Sequence, residues 1–167
     1  MSPHYRCDVE HWESMTDLIK TEVRETTGVI TLDRPKALNS LNHEMARAID
    51  ATLKQWRNDD AIAQVVVQSA GKHFCSGGDV RAAREGILDG RSTEVDAFFA
   101  DEYAMNLDIA NYPKPYIALC NGVIMGGGMG ISAHGSHMVV TEDAFASMPE
   151  MNIGYVTDVG MSWLLQN

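Results

Sequence analysis

Two short apolar runs in this chain lead directly into glycine-rich loops, and this arrangement constrains the fold more than any other feature of the sequence. The run Val65-Val66-Val67 precedes Phe74-Cys-Ser-Gly-Gly-Asp79, and Tyr116-Ile-Ala-Leu-Cys120 precedes Met125-Gly-Gly-Gly-Met129. Apolar runs of this length, bounded by polar residues, are typical of strands covered on both faces in a parallel sheet. Because the carboxyl ends of parallel strands form one edge where ligands bind, we expect the two loops to meet at one ligand site.

The rest of the chain alternates between strand patterns and helix patterns. Leu18 to Arg24 and Gly28 to Asp33 predict a β-hairpin. Asn42 is a candidate N-cap for an amphipathic helix over residues 43–57, and Glu94 to Asn111 predicts a longer helix. Shorter helices are expected from Asp79, over 128–134 and from Val159, and shorter strands at His137–Thr141 and Phe145–Met148. Strands separated by helices indicate an α/β fold with parallel pairing.

The size and charge of the chain exclude several classes of protein. The 167 residues fit one domain, which we divide into an N-terminal tail, residues 1–17, and a core, residues 18–167. A formal net charge of −10 argues against binding to nucleic acid or to an anionic membrane surface. Cys7, Cys75 and Cys120 are widely spaced and odd in number, which fits neither a disulfide framework nor a zinc site.

The two ends of the chain carry separate predictions. Met1 to Glu13 has no apolar core like that of a signal peptide. It also contains acidic residues, which are scarce in transit peptides, so we expect a cytoplasmic protein. The chain stops two residues after Trp163-Leu164-Leu165, an apolar helix start that needs a covering partner. This ending predicts that the chain is a fragment of a longer protein.

The glycines of the two loops have a chemical interpretation and a structural one. Glycine lets a ligand approach the main chain closely, and N–H groups freed at a helix start carry the positive end of the helix dipole. Two such loops could aim two N–H groups at one oxygen and form an oxyanion hole for a thioester carbonyl. For either loop alone, tight turning is the alternative explanation. Neither loop matches a dinucleotide-binding or a Walker pattern.

A pair of carboxylates, Glu150 and Asp158, is the second chemical signal. Glu150 lies between Met148-Pro149 and Met151, and burial there would raise its pKa and suit it to general acid or base catalysis near neutral pH. A surface loop with two acidic residues is the alternative. Asp79 is a candidate helix cap, and no acid-and-histidine set has metal-ligand spacing, so no metal site is predicted.

Taken together, these motifs resemble the crotonase (enoyl-CoA hydratase/isomerase) superfamily, from about Val23 to the end of the chain. The resemblance is carried by four ordered segments: Gly28-Val-Ile-Thr-Leu-Asp-Arg-Pro-Lys-Ala-Leu-Asn-Ser-Leu41, Phe74 to Asp79, Gly122 to Gly130, and Met148-Pro-Glu150. It implies a crotonase-like spiral of ββα repeats, with the C-terminal helical region of the superfamily absent from this chain.

The resemblance also implies roles for individual residues. The oxyanion hole would come from the N–H groups of Ser76 and Gly127. The substrate-binding residues would be Lys36, Ala37, Leu38, Gly78, Asp79 and Glu102. Lys36, with Arg34 nearby, would partly offset the negative charge of the protein near an anionic substrate. The implied partner is an acyl-CoA, whose coenzyme A is part of the substrate, so no cofactor is expected; a homo-oligomer is compatible with the family.

Three positions separate the reactions within the superfamily. Hydratases carry a glutamate where this chain has Gly130, a second one matching Glu150, and usually a glycine where this chain has Asp158. This set of residues, together with Glu102, resembles the 3-hydroxyisobutyryl-CoA hydrolase subfamily. Thr157 departs from the subfamily pattern, in which proline is common at this position. The resemblance implies hydrolysis of a short-chain 3-hydroxyacyl-CoA in valine catabolism, with Glu150 and Asp158 as catalytic residues. Enoyl-CoA hydration or isomerisation, or a non-catalytic acyl-CoA-binding module, are the alternatives.

Overall fold

The computed structural model describes residues 16–166. The predicted tail, residues 1–17, therefore lies outside the described part apart from its last two residues, and Cys7 lies outside it as well. The predicted hairpin is confirmed: β1 (Ile19–Arg24) pairs antiparallel with β2 (Thr27–Leu32). The turn between the two strands consists of Glu25 and Thr26, and Glu25 has the positive φ of 56°.

The remaining elements alternate as expected for an α/β fold. In chain order they are a 3-10 turn at Pro35–Ala37, α1 (His43–Arg57), β3 (Gln64–Ser69), α2 (Val80–Leu88), α3 (Ser92–Ala110), β4 (Tyr116–Cys120), β5 (Val123–Met125), α4 (Gly127–Gly130), β6 (His137–Val140), β7 (Phe145–Ser147), a 3-10 turn at Glu150–Ile153 and α5 (Met161–Leu164). The main sheet has the order β1-β2-β3-β4-β6, and every pair after the hairpin is parallel.

The hydrophobic core lies between the main sheet and the helices α1 and α3. Asn42 caps α1 as predicted, since its Oδ1 accepts from the N–H of Met45 at 2.9 Å. The predicted apolar face of α1 is buried, and Trp56 at its end fits over Gly28, where a Cβ would lie 2.5 Å from the indole ring. Glycine in β2 thus allows α1 to approach the sheet closely.

A second, small sheet brings the two glycine loops together. It consists of β5 and β7, of which β5 is too short to be recognised in the sequence. Ile124 of β5 forms an isolated parallel bridge with Cys75, held by the bonds Cys75 N–H to Val123 O, 3.1 Å, and Met125 N–H to Cys75 O, 2.9 Å. The loop after β3 therefore runs beside β5, directly before the second glycine cluster.

Two predicted helices are shorter than expected. The helix predicted over 128–134 is the single turn α4, and the helix predicted from Val159 to Leu165 is limited to Met161–Leu164. Glycine has a low helix propensity, and it occupies three of the four positions of α4. Within residues 16–166, no helix combines the length and the apolar character that crossing a membrane requires.

Candidate active site

A cavity of about 560 Å³ opens where the two glycine loops meet. Its floor is the loops themselves, one wall is α2, another is α3, and the third is the segment that follows β7. The polar and charged residues along it are Ser76, Arg84, Glu102, Glu150, Asn152, Tyr155 and Asp158. The sequence expectation that both loops serve one site is thereby supported by the geometry.

The backbones of the two loops are in van der Waals contact. Gly77 has a φ of 106°, and a Cβ added to it would lie 3.2 Å from the carbonyl oxygen of Met125. A Cβ added to Gly126, whose φ is 46°, would lie 3.6 Å from the Cα of Gly77. Side chains at these positions would separate the loops, so glycine is required here for close approach.

The structure contradicts one predicted donor of the oxyanion hole. The N–H of Ser76 donates to the carbonyl oxygen of Leu38 at 3.0 Å, so it is not available to a ligand. The reason is tertiary: the loop after β2 folds over the loop after β3, and the buried Asn39 side chain fixes it there by donating to the carbonyls of Ala70, 2.9 Å, and His73, 2.8 Å. Sequence spacing cannot show that this carbonyl reaches Ser76.

Two other main-chain donors face the cavity. The N–H groups of Gly78 and Gly127 have no hydrogen-bond partner within the described residues, and both residues line the cavity. A Cβ added to Gly127 would lie 3.3 Å from the nitrogen of Gly78, which puts the two donors on neighbouring loops side by side. Gly78 was expected only as a substrate-binding residue, and this geometry makes it the partner of Gly127 in a donor pair.

Glu150 lies beside this donor pair. Glu150 begins the 3-10 turn after β7 and is only 7% exposed. Its Oε1 lies 2.9 Å from where a Cβ of Gly126 would be, and its buried Oε2 has no hydrogen-bond partner in the described part of the chain. Burial raises the pKa of Glu150. A hydrogen bond from its own backbone opposes this increase, and the negative charge of Asp158 adds to it. The surface-loop alternative does not fit this burial.

Glu102 forms the opposite side of the site. It projects from the middle of α3, is 2% exposed, and would collide through Oε1 with any Cβ on Gly127. Burial, and then the negative charge of Asp158, raise the pKa of Glu102 to about 7. One turn later on the same helix face, the amide of Asn106 is also buried and unpartnered, packed against Gly130 at 2.9 Å from its Cβ position. Their spacing of four residues places Glu102 and Asn106 on one face of α3, but Asn106 was not recognised from the sequence.

The raised pKa of Glu102 predicts a pH dependence of stability. The folded protein holds this proton more tightly than the unfolded chain, whose carboxyl has the usual pKa of 4.5, so folding stability is lost as the pH rises through about 7. Relative to Glu102→Gln, the wild-type protein is expected to lose about 3 kcal/mol of unfolding free energy between pH 4.5 and 8.

Urea unfolding of both proteins across this pH range measures that difference. Glu85→Gln, on the exposed surface of α2, controls for the loss of one negative charge. Parallel pH curves for wild type and Glu102→Gln would contradict the prediction.

Asp158 lies beside two tyrosines, Tyr103 and Tyr155. It is half-buried, and its Oδ2 accepts a hydrogen bond of 2.7 Å from the hydroxyl of Tyr103. That hydroxyl also lies 3.2 Å from the hydroxyl of Tyr155, whose ring stacks on Phe99 with centroids 6.3 Å apart. The sequence carries no signal of this contact, since Tyr103 and Asp158 lie 55 positions apart.

The segment predicted to hold coenzyme A lies outside the cavity lining. Lys36 and Leu38 are exposed next to the first glycine loop, and Ala37 is half-buried between them. Arg34 does not offer a free guanidinium, because Nη1 binds Asp79 at 2.8 Å and the hydroxyl of Ser40 at 2.9 Å.

Asp79 likewise has a structural role. Its Oδ1 caps α2 by accepting from the N–H of Ala82 at 3.1 Å, as the sequence predicted, while its other oxygen pairs with Arg34. It does not line the cavity, so the structure does not support its prediction as a substrate contact. Arg84, exposed and without an ion-pair partner among residues 16–166, is the single cationic residue of the lining. No group of three or more His, Cys, Asp or Glu residues in that range has an arrangement that could hold a metal ion.

Comparison with known proteins gives a consistent family. Residues 27–167 match the family model of enoyl-CoA hydratase/isomerase. The chain is 48% identical over 139 residues to "3-hydroxyisobutyryl-CoA hydrolase, mitochondrial" of Danio rerio, covering 83% of this chain and 36% of that protein. It is 38% identical over 150 residues to "Small ribosomal subunit protein mS47" of Schizosaccharomyces pombe, covering 90% of this chain and 35% of that protein.

The fold agrees with solved structures. A carnitinyl-CoA dehydratase from Mycobacterium thermoresistibile superimposes with a TM-score of 0.86 at 41% identity, covering 91% of this chain and 45% of that one. The predicted crotonase-type α/β fold is thereby confirmed. The chain spans about a third of the length of the curated relatives that it matches. With a family model matched over most of its residues and the same fold in solved relatives, the chain belongs to the enoyl-CoA hydratase/isomerase family.

Proposed function

We propose that this chain forms the catalytic part of a hydrolase for short-chain 3-hydroxyacyl-CoA thioesters of the 3-hydroxyisobutyryl-CoA type. The observation that carries the proposal is the buried carboxyl of Glu150 beside the N–H groups of Gly78 and Gly127, which have no partner among residues 16–166, in the lining of a largely apolar cavity. The identity to the hydrolase of Danio rerio supports the same reaction.

In the proposed mechanism the thioester carbonyl oxygen accepts from the N–H groups of Gly78 and Gly127. These fixed donors stabilise the negative charge that develops on that oxygen, and each is worth about 3 kcal/mol of the barrier in comparable sites. Glu150 either attacks the carbonyl carbon and forms an anhydride that water opens, or removes a proton from the attacking water. Both routes consume one water and release a carboxylic acid and the thiol of coenzyme A.

The other two carboxyl groups have distinct proposed roles. Asp158 orients the substrate hydroxyl or assists proton transfer to the leaving thiolate. Glu102, whose pKa near 7 keeps a large protonated fraction at neutral pH, donates to or accepts from the acyl hydroxyl. Coenzyme A belongs to the substrate, and the mechanism uses no metal or redox group. Lys36, exposed beside the cavity, and Arg84 on its rim are the proposed contacts of the anionic parts of coenzyme A.

A thiol-release assay on the complete protein tests this proposal. The protein is incubated with 3-hydroxyisobutyryl-CoA and with crotonyl-CoA, and free thiol is measured in each reaction. Thiol release from the hydroxyacyl substrate is expected, because only hydrolysis frees the thiol. Consumption of crotonyl-CoA without thiol release would instead support hydratase activity, which the 41% identity to a dehydratase structure keeps as the nearer alternative.

A non-catalytic role is the second alternative, because a relative of 38% identity is a ribosomal subunit protein. Tight binding of an acyl-CoA without turnover of either substrate would favour it. The cytoplasmic compartment and a homo-oligomeric state stay predictions from the sequence. The names of the hydrolase relatives include the word mitochondrial, and a fractionation experiment on the source cells decides the compartment.

A further inference from the structure

We propose that Tyr103 is a positioning residue that holds the Asp158 carboxylate at the wall of the cavity. The inference deepens the proposed function, on which its catalytic consequence rests. It starts from the 2.7 Å hydrogen bond that the Tyr103 hydroxyl donates to Oδ2 of Asp158. Tyr103 lies next to Glu102 on α3, so the same helix presents the Glu102 carboxyl to the cavity and the Tyr103 hydroxyl to Asp158.

The backbone around Asp158 is irregular, and its anchors lie on the C-terminal side, where the carbonyl of Asp158 accepts from the N–H of Met161 at 3.0 Å and Val159 is buried. Residues 155–158 form neither helix nor strand, and they lie between two glycines with positive φ, Gly154 at 76° and Gly160 at 75°. Tyr103, in contrast, belongs to the 19-residue helix α3, which packs on α1 in the core. The hydroxyl of Tyr103 therefore connects an irregular segment to α3, the longest helix among the described residues.

Electrostatic repulsion from the nearby carboxyls favours displacement of the Asp158 carboxylate from the cavity wall. Its charge contributes to the raised pKa of both Glu102 and Glu150, so Asp158 and each of these two carboxyls repel each other when both are ionised. Among residues 16–166 Asp158 has no salt-bridge partner, and Tyr103 supplies the single hydrogen bond to its carboxylate. A hydrogen bond to an ionised group is among the stronger ones in proteins, and here it opposes the repulsion.

The neighbouring Tyr155 offers a matched control. Its hydroxyl lies 3.2 Å from that of Tyr103 but makes no hydrogen bond to Asp158, and its ring stacks on Phe99 at 6.3 Å. The ring of Tyr103 also lies 6.1 Å from that of Phe99. Phenylalanine at either position keeps the aromatic contact and removes one hydroxyl, so a loss of packing would affect both variants alike.

The test compares Tyr103→Phe with Tyr155→Phe in the complete protein. Tyr103→Phe is expected to lower kcat by about 10- to 100-fold with little change in KM, because the lost bond is to a charged group. Tyr155→Phe, which leaves the hydrogen bond from Tyr103 to Asp158 in place, is expected to lower kcat clearly less than Tyr103→Phe does. Equal losses in both variants, or a normal kcat in Tyr103→Phe, would overturn the proposal.

A double-mutant cycle separates positioning from a general structural effect. In the Asp158→Asn background, Tyr103→Phe is expected to reduce kcat little further, since the group it positions has already lost its charge. Losses that multiply in the double variant would show that Tyr103 acts independently of Asp158 and would overturn the proposal.

Crystal structures make the test independent of turnover. If the wild-type protein releases no thiol from any hydroxyacyl-CoA, the proposed hydrolase function fails, while the positioning proposal is still decided by the side chain of Asp158. That side chain is expected to leave the cavity wall in Tyr103→Phe and to keep its place in Tyr155→Phe. An unmoved Asp158 in Tyr103→Phe would overturn the proposal.

Discussion

Replacing Glu150 with glutamine is expected to lower kcat for thioester hydrolysis by about 10²- to 10⁴-fold, because the amide can neither attack the carbonyl nor accept a proton from water. The substitution preserves the size of a side chain that is 7% exposed, so the cavity keeps its shape. Binding of the CoA thioester is expected to be largely retained, since Glu150 lies at the reacting end of the cavity. Steady-state kinetics of thiol release and calorimetric binding of the substrate by the variant measure the two effects.

Glu142→Gln is the matched control for this substitution. Glu142 lies just before β7, is exposed and has no ion-pair partner within the described range. The control is expected to leave turnover unchanged. Near-normal hydrolysis by Glu150→Gln would remove Glu150 from the mechanism and with it the central step of the proposed function.

A methyl group at Gly127 is expected to reduce kcat/KM by about 10²- to 10³-fold, the range found when an oxyanion-hole donor is lost. The Cβ of Gly127→Ala would collide with Oε1 of Glu102 and lie 3.2 Å from Cδ1 of Leu41. Because Glu102 is itself buried, relief of the collision moves either this carboxyl or the loop that carries the donor N–H. Both movements disturb the site while the core stays folded.

Gly90→Ala shows how much of that loss reflects stability alone. Gly90 has a φ of 77°, and its Cβ would meet nothing within 4 Å, so alanine there costs about 1 kcal/mol through the backbone and leaves the cavity untouched. The control is expected to lower the denaturant midpoint with an unchanged kcat. A Gly127→Ala protein with wild-type kcat/KM would contradict the proposed donor pair.

The local patterns that the sequence predicts well are those set by neighbouring residues. The bounds of α1 follow from the Asn42 cap and the spacing of the apolar residues, and Asp79 caps α2 as predicted. The three residues of β5 carry too short a pattern to be recognised, although this strand aligns the two glycine loops. The glycine cluster that begins α4 suggested a longer helix than such a composition can sustain.

The candidate site shows the same division. Glu150 and Gly127 are recognisable because each lies in a motif, and the fold brings the two motifs together. The assignment of Ser76 as a donor was wrong, because a carbonyl 38 residues earlier in the chain accepts its N–H. The hydrogen bond of Tyr103 and the burial of the Asn106 amide could not be predicted, since each depends on a residue distant in sequence, Asp158 for Tyr103 and Gly130 for Asn106.

By itself, therefore, the sequence determined the α/β class and the family and supplied Glu150 and Asp158 as candidate carboxylates, because periodicity, caps and motifs are written in consecutive residues. The tertiary structure alone decided which N–H groups remain free, how deeply Glu102 and Glu150 are buried, and which hydroxyl holds Asp158. Hydrogen-bond competition and desolvation depend on atoms that meet only after the chain has folded, so no spacing rule can supply them.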